Sequence, residues 1–242
     1  MRRRQFIQFS SALPLLALVN PPAQSAGEWK SFSLTMRLNI QDTERPTRVW
    51  LPLPNSIAGY QQTLDTRWSG TPEKAQIFRD PQYGAPMLYA EWTTPGPREL
   101  VVSSQIKTLD RSNVPTNNAQ SDAAAIPPEV RPFLLPTKHI PIDGIVLTTA
   151  NEAARGATTP VEQARAVYDW IVDNSFRDPK VKGCGRGDIK GMLETGNLGG
   201  KCADLNALFV GLARAAGIPA RDVYGVRVAD SATWKSLAKS GD

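Results

Sequence analysis

The chain has 242 residues, of which 41% are apolar and 21% are charged, and its formal net charge is +5. These proportions are typical of a folded globular protein and exclude a collagen-like, low-complexity or wholly disordered chain. Two cysteines and one histidine exclude a disulfide scaffold and a four-ligand zinc site built from Cys and His.

The beginning of the chain has the pattern of an export signal. Three arginines at 2–4 precede an uncharged, weakly apolar segment over 6–19, and small residues suited to cleavage follow over 20–26. The order Arg-Arg-Gln-Phe-Ile at 3–7 is that of a twin-arginine motif. We predict a twin-arginine signal peptide over 1–26 and a periplasmic or secreted protein. An ordinary secretory signal or a buried N-terminal helix is the alternative.

Most of the net positive charge lies in this signal. Its removal would lower the formal net charge from +5 to +2, and no later stripe interleaves basic and aromatic residues. We therefore predict no nucleic-acid partner. No run of about 18 apolar residues is present, so we also predict no stable membrane insertion.

Residues 27–112 have the pattern of an antiparallel β-sandwich domain. Apolar and polar residues alternate at period two over 32–40, which predicts a half-buried strand. Clusters of Pro, Gly and Asp separate further short apolar segments, which lie at 48–54, 88–92 and 100–106. Pro52 and Pro54 place the end of the second segment at a sheet edge or a bulge.

A linker is predicted over 113–147, first polar and then rich in proline and irregular. A helix is predicted over 160–174, because Thr159 can cap it, Pro160 suits its first position and Glu162 completes a capping box. Asp188 is a candidate cap for a short helix that extends through Leu193.

The segment around Cys202 carries the strongest chemical signal. Apolar residues at 205, 208, 209 and 212 have helical spacing, and Gly217 and Pro219 end the helix. Cys202 is therefore predicted at or next to a helix N-terminus, whose unpaired N–H groups favour a thiolate and can receive an oxyanion. We expect the two preceding glycines to let a substrate backbone approach closely. On spacing alone, a buried structural cysteine remains an equal alternative.

The sequence around this cysteine resembles the transglutaminase-like family of transglutaminases and related cysteine peptidases and amidases. The resemblance lies in Gly-x-Cys-x-Asp at 200–204, in Leu-Ala-Arg-Ala-x-Gly-Ile-Pro-Ala-Arg at 212–221, and in Val-x-Gly at 223–225. It implies an α+β protein in which the sandwich precedes a papain-like core over 148–242. It also implies that Cys202 is the nucleophile, that the substrate is a peptide or protein, and that no cofactor or metal is needed.

The sequence departs from the family pattern after the cysteine. In the family a catalytic histidine follows the cysteine by some tens of residues and an aspartate follows the histidine. Here the single histidine is His139, 63 residues upstream of Cys202. We therefore expect a core truncated before these two residues, with little amide-bond activity in this chain alone. We expect His139 to be structural.

Two nearby residues have less specific patterns. Cys184 lies in a glycine-rich loop and is interpreted as part of the cleft rim; a Cys184–Cys202 disulfide that masks the nucleophile is the alternative. Asp204 is interpreted as a capping charge in the first helical turn, with a second acidic group beside the nucleophile as the alternative.

Two functions follow from these observations. The first is acyl transfer from a peptide or amide through a thioester on Cys202, to water or to an amine. The second is a non-catalytic binding protein whose sandwich recognises cell-envelope material and whose core is vestigial.

Overall fold

The computed structural model describes residues 28–41, 43–110 and 126–231. The predicted signal peptide over 1–26 lies outside the described residues. So do most of the polar part of the predicted linker and the last residues of the chain.

The N-terminal part consists of two three-stranded antiparallel sheets. One sheet has the order β1-β6-β3 and the other the order β2-β5-β4. The strands are β1 (Lys30–Asn39), β2 (Thr47–Pro52), β3 (Gln61–Gly70), β4 (Lys74–Arg79), β5 (Pro86–Trp92) and β6 (Glu99–Thr108). The predicted antiparallel sheets are thus present, and Pro52 lies on an edge strand, where its missing N–H removes no ladder hydrogen bond.

The two central strands, β5 and β6, form the core of this part. Their alternate side chains are buried and pack between the two sheets, notably Leu88, Trp92, Leu100 and Val102. The sequence patterns predict β1, β2, β5 and β6 but not β3 and β4. The two missed strands are edge strands, and β3 is mostly polar with a register shift between Thr63 and Asp65.

The C-terminal part is built around one buried helix. Its helices are α1 (Gly144–Ala153), α2 (Pro160–Asn174), α3 (Ile189–Thr195) and α4 (Cys202–Ala215), and a short parallel pair joins β7 (Phe176–Arg177) to β8 (Gly199–Gly200). Leu208 and Leu212 of α4 are fully buried among side chains from the other three helices. This packing holds the N-terminus of α4 in place, since α4 contacts α1, α2 and α3.

Local sequence signals set the helix boundaries. The Thr159 hydroxyl accepts a hydrogen bond from the Glu162 N–H at 3.2 Å, and the Glu162 carboxylate accepts the Thr159 N–H at 3.1 Å, so the predicted capping box begins α2. The Asp188 carboxylate accepts the Gly191 N–H and caps α3 as predicted. Gly217, at φ 82°, ends α4.

Two local predictions were wrong. The end of the region expected to be irregular, 128–147, already contains the start of α1, because burial of Val146 and Ala150 in the core stabilises a helix that the nearby prolines obscured. The sequence also predicts a strand over 221–228 after the cysteine helix, but these residues pair with no described strand. A strand exists only when a neighbouring strand satisfies its backbone groups, and no described strand pairs with this segment.

A short 3-10 turn at Arg131–Leu134 links the two parts. The Phe133 ring stacks on the Tyr83 ring of the sandwich, with 6.1 Å between the ring centroids. The Arg221 guanidinium lies 4.9 Å from the centroid of the same Phe133 ring. The buried Arg214 of α4 donates to the carbonyls of Leu135 and Ala220 at 2.7 and 2.8 Å. These contacts connect the C-terminal end of α4 to the sandwich.

Among the described helices, none has the length and hydrophobicity needed to cross a membrane.

The close contact between α3 and α4 generates a stability prediction. A Cβ added at Gly211 would lie 2.1 Å from Cδ1 of the fully buried Ile189. We expect Gly211→Ala to lower the free energy of unfolding by about 1–3 kcal/mol through overpacking. Ile189→Val, which removes that Cδ1, should cost about 0.5–1.5 kcal/mol by itself. The double variant should lose less free energy of unfolding than the sum of the two single losses, as measured by urea unfolding. Additive losses would contradict the contact.

Candidate active site

Cys202 is the first residue of α4 and its side chain is exposed. The predicted position at a helix N-terminus is therefore the position in the structure. The thiol is open to solvent, which a buried structural cysteine would not be. Its catalytic role remains a prediction that the fold permits.

The two glycines before the cysteine serve internal packing. A Cβ at Gly199 would lie 2.5 Å from the Phe176 ring, and a Cβ at Gly200 would lie 2.5 Å from the Asp204 Cβ. The sequence predicts that these glycines admit a substrate backbone. The structure supplies a different reason, because both positions are filled by neighbouring side chains of the same chain.

The loop that carries Cys184 lies against the N-terminus of α4. The Cys184 carbonyl accepts the Ala203 N–H at 2.9 Å, and the Cys202 thiol donates to the same carbonyl at 3.9 Å. One of the helix N–H groups expected to receive an oxyanion is thus already hydrogen-bonded. The Cys184 thiol is also exposed, so the two cysteines of the sequence lie at one site.

Asp204 is buried and its carboxylate accepts three backbone N–H groups. Oδ1 accepts from Arg186 at 2.8 Å and from Gly187 at 2.9 Å, while Oδ2 accepts from Lys201 at 3.0 Å. Burial alone would raise the pKa of this carboxyl, but the three hydrogen bonds outweigh burial and hold the pKa below its ordinary value. Asp204 therefore stays ionised. It joins the Cys184 loop to α4, a larger role than the capping charge that the sequence predicted.

Gly185 makes this contact possible. Its φ is 99°, and a Cβ there would lie 1.9 Å from Oδ2 of Asp204. Any side chain at this position would displace the carboxylate. It would also have to adopt a left-handed backbone conformation, which is strained for residues other than glycine. The contact with Asp204 thus explains why position 185 is a glycine.

The sequence patterns do not single out Tyr224, which lies near the cysteines, or Asp222, whose charge acts on Tyr224. Desolvation raises the pKa of the Tyr224 hydroxyl, and the negative charges of Asp222, Cys202 and Cys184 raise it further, so this hydroxyl lies within electrostatic range of both thiols. Desolvation also raises the pKa of Asp222, whose Oδ1 has no hydrogen-bond partner among the described residues. Both residues follow the Gly-Ile-Pro-Ala-Arg motif, and the Val-x-Gly pattern treated Tyr224 as variable.

His139 is exposed, and its backbone carbonyl accepts the Ile189 N–H at 3.4 Å. Within the described ranges, no hydrogen bond links its side chain to Cys202. Among the described residues, no group of three or more His, Cys, Asp or Glu side chains is placed to hold a metal ion.

The Asp204 hydrogen bonds generate a pH-dependent prediction. Asp204→Asn should lower the free energy of unfolding at pH 7 by about 1–3 kcal/mol, because the amide turns a donor toward a buried N–H. The ionised carboxylate stabilises the fold above about pH 4, and this contribution is lost as the pH falls through the lower folded pKa. The difference in the free energy of unfolding between wild type and Asp204→Asn, measured by urea unfolding, should therefore shrink below about pH 4.

Asp188→Asn is the matched control, since Asp and Asn cap helices equally well and Asp188 is exposed. We expect this control to change stability by less than about 0.5 kcal/mol. Equal losses for the two variants, or a difference for Asp204→Asn that does not vary with pH, would contradict the role of Asp204.

The chain is similar to known proteins in three respects. The family model described as "Transglutaminase-like superfamily" matches residues 147–240. An uncharacterized protein of Haemophilus influenzae is 37% identical over an alignment of 206 residues that covers 81% of this chain and 55% of that protein, so the chain spans about half the length of this relative. A crystal structure described as that of "a Putative Cysteine Protease" from Cytophaga hutchinsonii matches with a TM-score of 0.60 and 18% identity, and covers 80% of this chain and 66% of that one.

These findings agree with the geometry around α4. The family match includes all of α4 and the Gly-x-Cys-x-Asp motif at its start, and the structural match shows that the mixed α/β fold with N-terminal antiparallel sheets is shared. Residues 147–240 therefore match the transglutaminase-like superfamily, and the described part of this region shares the mixed α/β fold of the matched structure.

Proposed function

We propose that this protein is a cysteine acyl transferase or peptidase in which Cys202 is the nucleophile. The observation that carries the proposal is the exposed thiol at the first position of a helix that is anchored in the core. Such a position favours the thiolate, because the helix N-terminus carries a partial positive charge. The transglutaminase-like match to this region supports the same chemistry.

The proposed reaction forms and breaks a thioester. The Cys202 Sγ attacks the carbonyl carbon of a peptide or protein amide, an S–C bond forms, and the C–N bond breaks as the leaving amine takes up a proton. Water or a second amine then attacks the thioester and releases Cys202. Water gives hydrolysis and an amine gives a crosslink. The proposed partner is therefore a peptide or protein substrate.

We further propose that this chain alone is impaired toward amides. Its one histidine, His139, is exposed, and no hydrogen bond joins it to Cys202 within the described part of the chain. A base that also protonates the leaving amine contributes about 10²–10⁴-fold to the rate. An activated ester, whose leaving group needs no proton, avoids this loss.

Acetylation by p-nitrophenyl acetate tests the nucleophile separately from the missing base. We expect Cys184→Ser, which keeps only Cys202, to form an acetyl thioester that intact-protein mass spectrometry detects. Cys202→Ser, which keeps only Cys184, is the matched control from the same site. The Cys202 thiol should react about 5-fold faster or more, since a helix N-terminus favours a negative charge by about 1 kcal/mol.

Hydrolysis of a peptide p-nitroanilide, measured under the same conditions, should be undetectable or at least about 10²-fold slower than acetylation. Equal acetylation of the two variants would contradict Cys202 as the activated nucleophile. Rapid anilide hydrolysis would contradict the proposed impairment.

We propose that the protein is exported through the twin-arginine route, on the basis of the arginine pair at Arg3 and Arg4 and the small residues before Gly27. Replacing both arginines with lysine should retain the precursor in the cytoplasm, because twin-arginine recognition requires the guanidinium pair. The measurement is cell fractionation with N-terminal analysis of the exported form. Unchanged export of the lysine variant would instead indicate an ordinary secretory signal.

A non-catalytic binding role is the second candidate, and one surface of the sandwich favours it. Trp50 is 53% exposed on the outer face of the β2-β5-β4 sheet, and its ring lies 5.3 Å from Tyr89. Arg48 and Glu91 form an ion pair of 2.7 Å on the same face. An exposed aromatic ring next to charged groups suits binding of cell-envelope material. Equal acetylation of the two single-cysteine variants would favour this function.

A further inference from the structure

The described part of the chain contains two free thiols, and both are exposed at the same site. We propose that Cys184 and Cys202 form a reversible disulfide by exchange with an anionic low-molecular-weight disulfide, and that this bond switches off the nucleophile. The inference rests on the proposed function, because it assigns a regulatory modification to Cys202. It makes Cys184 the resolving cysteine.

The backbone already holds the two cysteines together. The hydrogen bond from the Ala203 N–H to the Cys184 carbonyl is 2.9 Å long, and the Cys202 thiol lies 3.9 Å from the same carbonyl oxygen. Asp204 fixes this arrangement through Arg186 and Gly187, two and three residues after Cys184. Formation of the disulfide therefore requires no large approach of the two segments.

The electrostatics of Cys184 agree with this proximity. The pKa of the Cys184 thiol is raised, first by its hydrogen bond with the Cys202 thiol, then by the charge of Cys202 and by desolvation. This influence agrees with the 3.9 Å contact between the Cys202 sulfur and the Cys184 carbonyl oxygen. Gly183 and Gly185, at φ 62° and 99°, flank Cys184 and give the loop a backbone conformation that other residues rarely adopt.

The charges around the pair suit an anionic oxidant. Lys201 and Arg177 both act to lower the pKa of Cys184, so both positive side chains lie near its sulfur. Glutathione disulfide is an anionic reagent of this class. Both thiols are exposed, so it can reach them.

The exchange proceeds in two balanced steps. The Cys202 thiolate attacks one sulfur of glutathione disulfide, an S–S bond forms to Cys202, and one glutathione thiolate leaves. The Cys184 thiolate then attacks the Cys202 sulfur, and the second glutathione leaves. Two protein thiols are oxidised and one disulfide is reduced to two thiols. A reducing thiol reverses both steps.

The experiment treats the full chain with glutathione disulfide, quenches it with N-ethylmaleimide and measures intact and peptide masses. We expect the wild type to lose both alkylatable thiols together, to retain no glutathione, and to yield a linked peptide pair containing Cys184 and Cys202. Dithiothreitol should restore both thiols and the acetylation by p-nitrophenyl acetate. Cys184→Ser should instead retain one glutathione on Cys202, because the resolving thiol is absent.

Several results would overturn the inference. These are wild-type protein that keeps glutathione on either cysteine, disulfide-linked dimers in place of the internal bond, and an internal bond that forms only in urea. The Cys184→Ser variant separates this failure from failure of the proposed function, since its acetylation under reducing conditions does not depend on the disulfide. Normal acetylation without an internal bond in the wild type would reject the switch alone. An internal bond without preferential acetylation of Cys202 would reject the proposed function alone.

Discussion

The carboxylate of Asp204 accepts hydrogen bonds from three backbone N–H groups, and the site around Cys202 depends on this interaction. Two of the donors, Arg186 and Gly187, belong to the loop that carries Cys184, and the third, Lys201, immediately precedes the cysteine helix. A single buried charge thus joins two segments that are distant in sequence. Because a buried carboxylate is stable only when its hydrogen bonds are satisfied, loop and helix are constrained to form together.

The packing of α4 provides the second constraint. Leu208 and Leu212 are buried among the other helices, and Arg214 connects the far end of α4 to the segment that contacts the sandwich. Cys202 is therefore presented to solvent by a helix that cannot easily move. A rigid helix with an exposed thiol at its first position suits nucleophilic chemistry, which is the basis of the proposed acyl transfer.

Fixing the Cys184 loop at this position has consequences for the chemistry of Cys202. The Cys184 carbonyl already occupies the Ala203 N–H, so this donor does not serve an oxyanion in the arrangement observed. The same contact places a second thiol beside the nucleophile. Acyl transfer and reversible oxidation would then compete for one sulfur atom, and the redox state of the surroundings would select between them.

Local patterns in the sequence were sufficient to predict α2, α3, α4 and the four strands with clear alternation or apolar runs. They predicted these elements because caps, prolines, glycines and side-chain periodicity act over a few residues. The same patterns placed Cys202 at the start of α4. Strands β3 and β4, helix α1 and the partnership of Asp204 with the Cys184 loop were not predicted. Each of these depends on contacts between distant segments: edge strands form on β5 and β6, α1 is stabilised by burial against α4, and Asp204 finds two of its donors 17 and 18 residues earlier in the chain. Such contacts exist only after the chain has folded, because burial and hydrogen bonding across the core depend on which segments meet there.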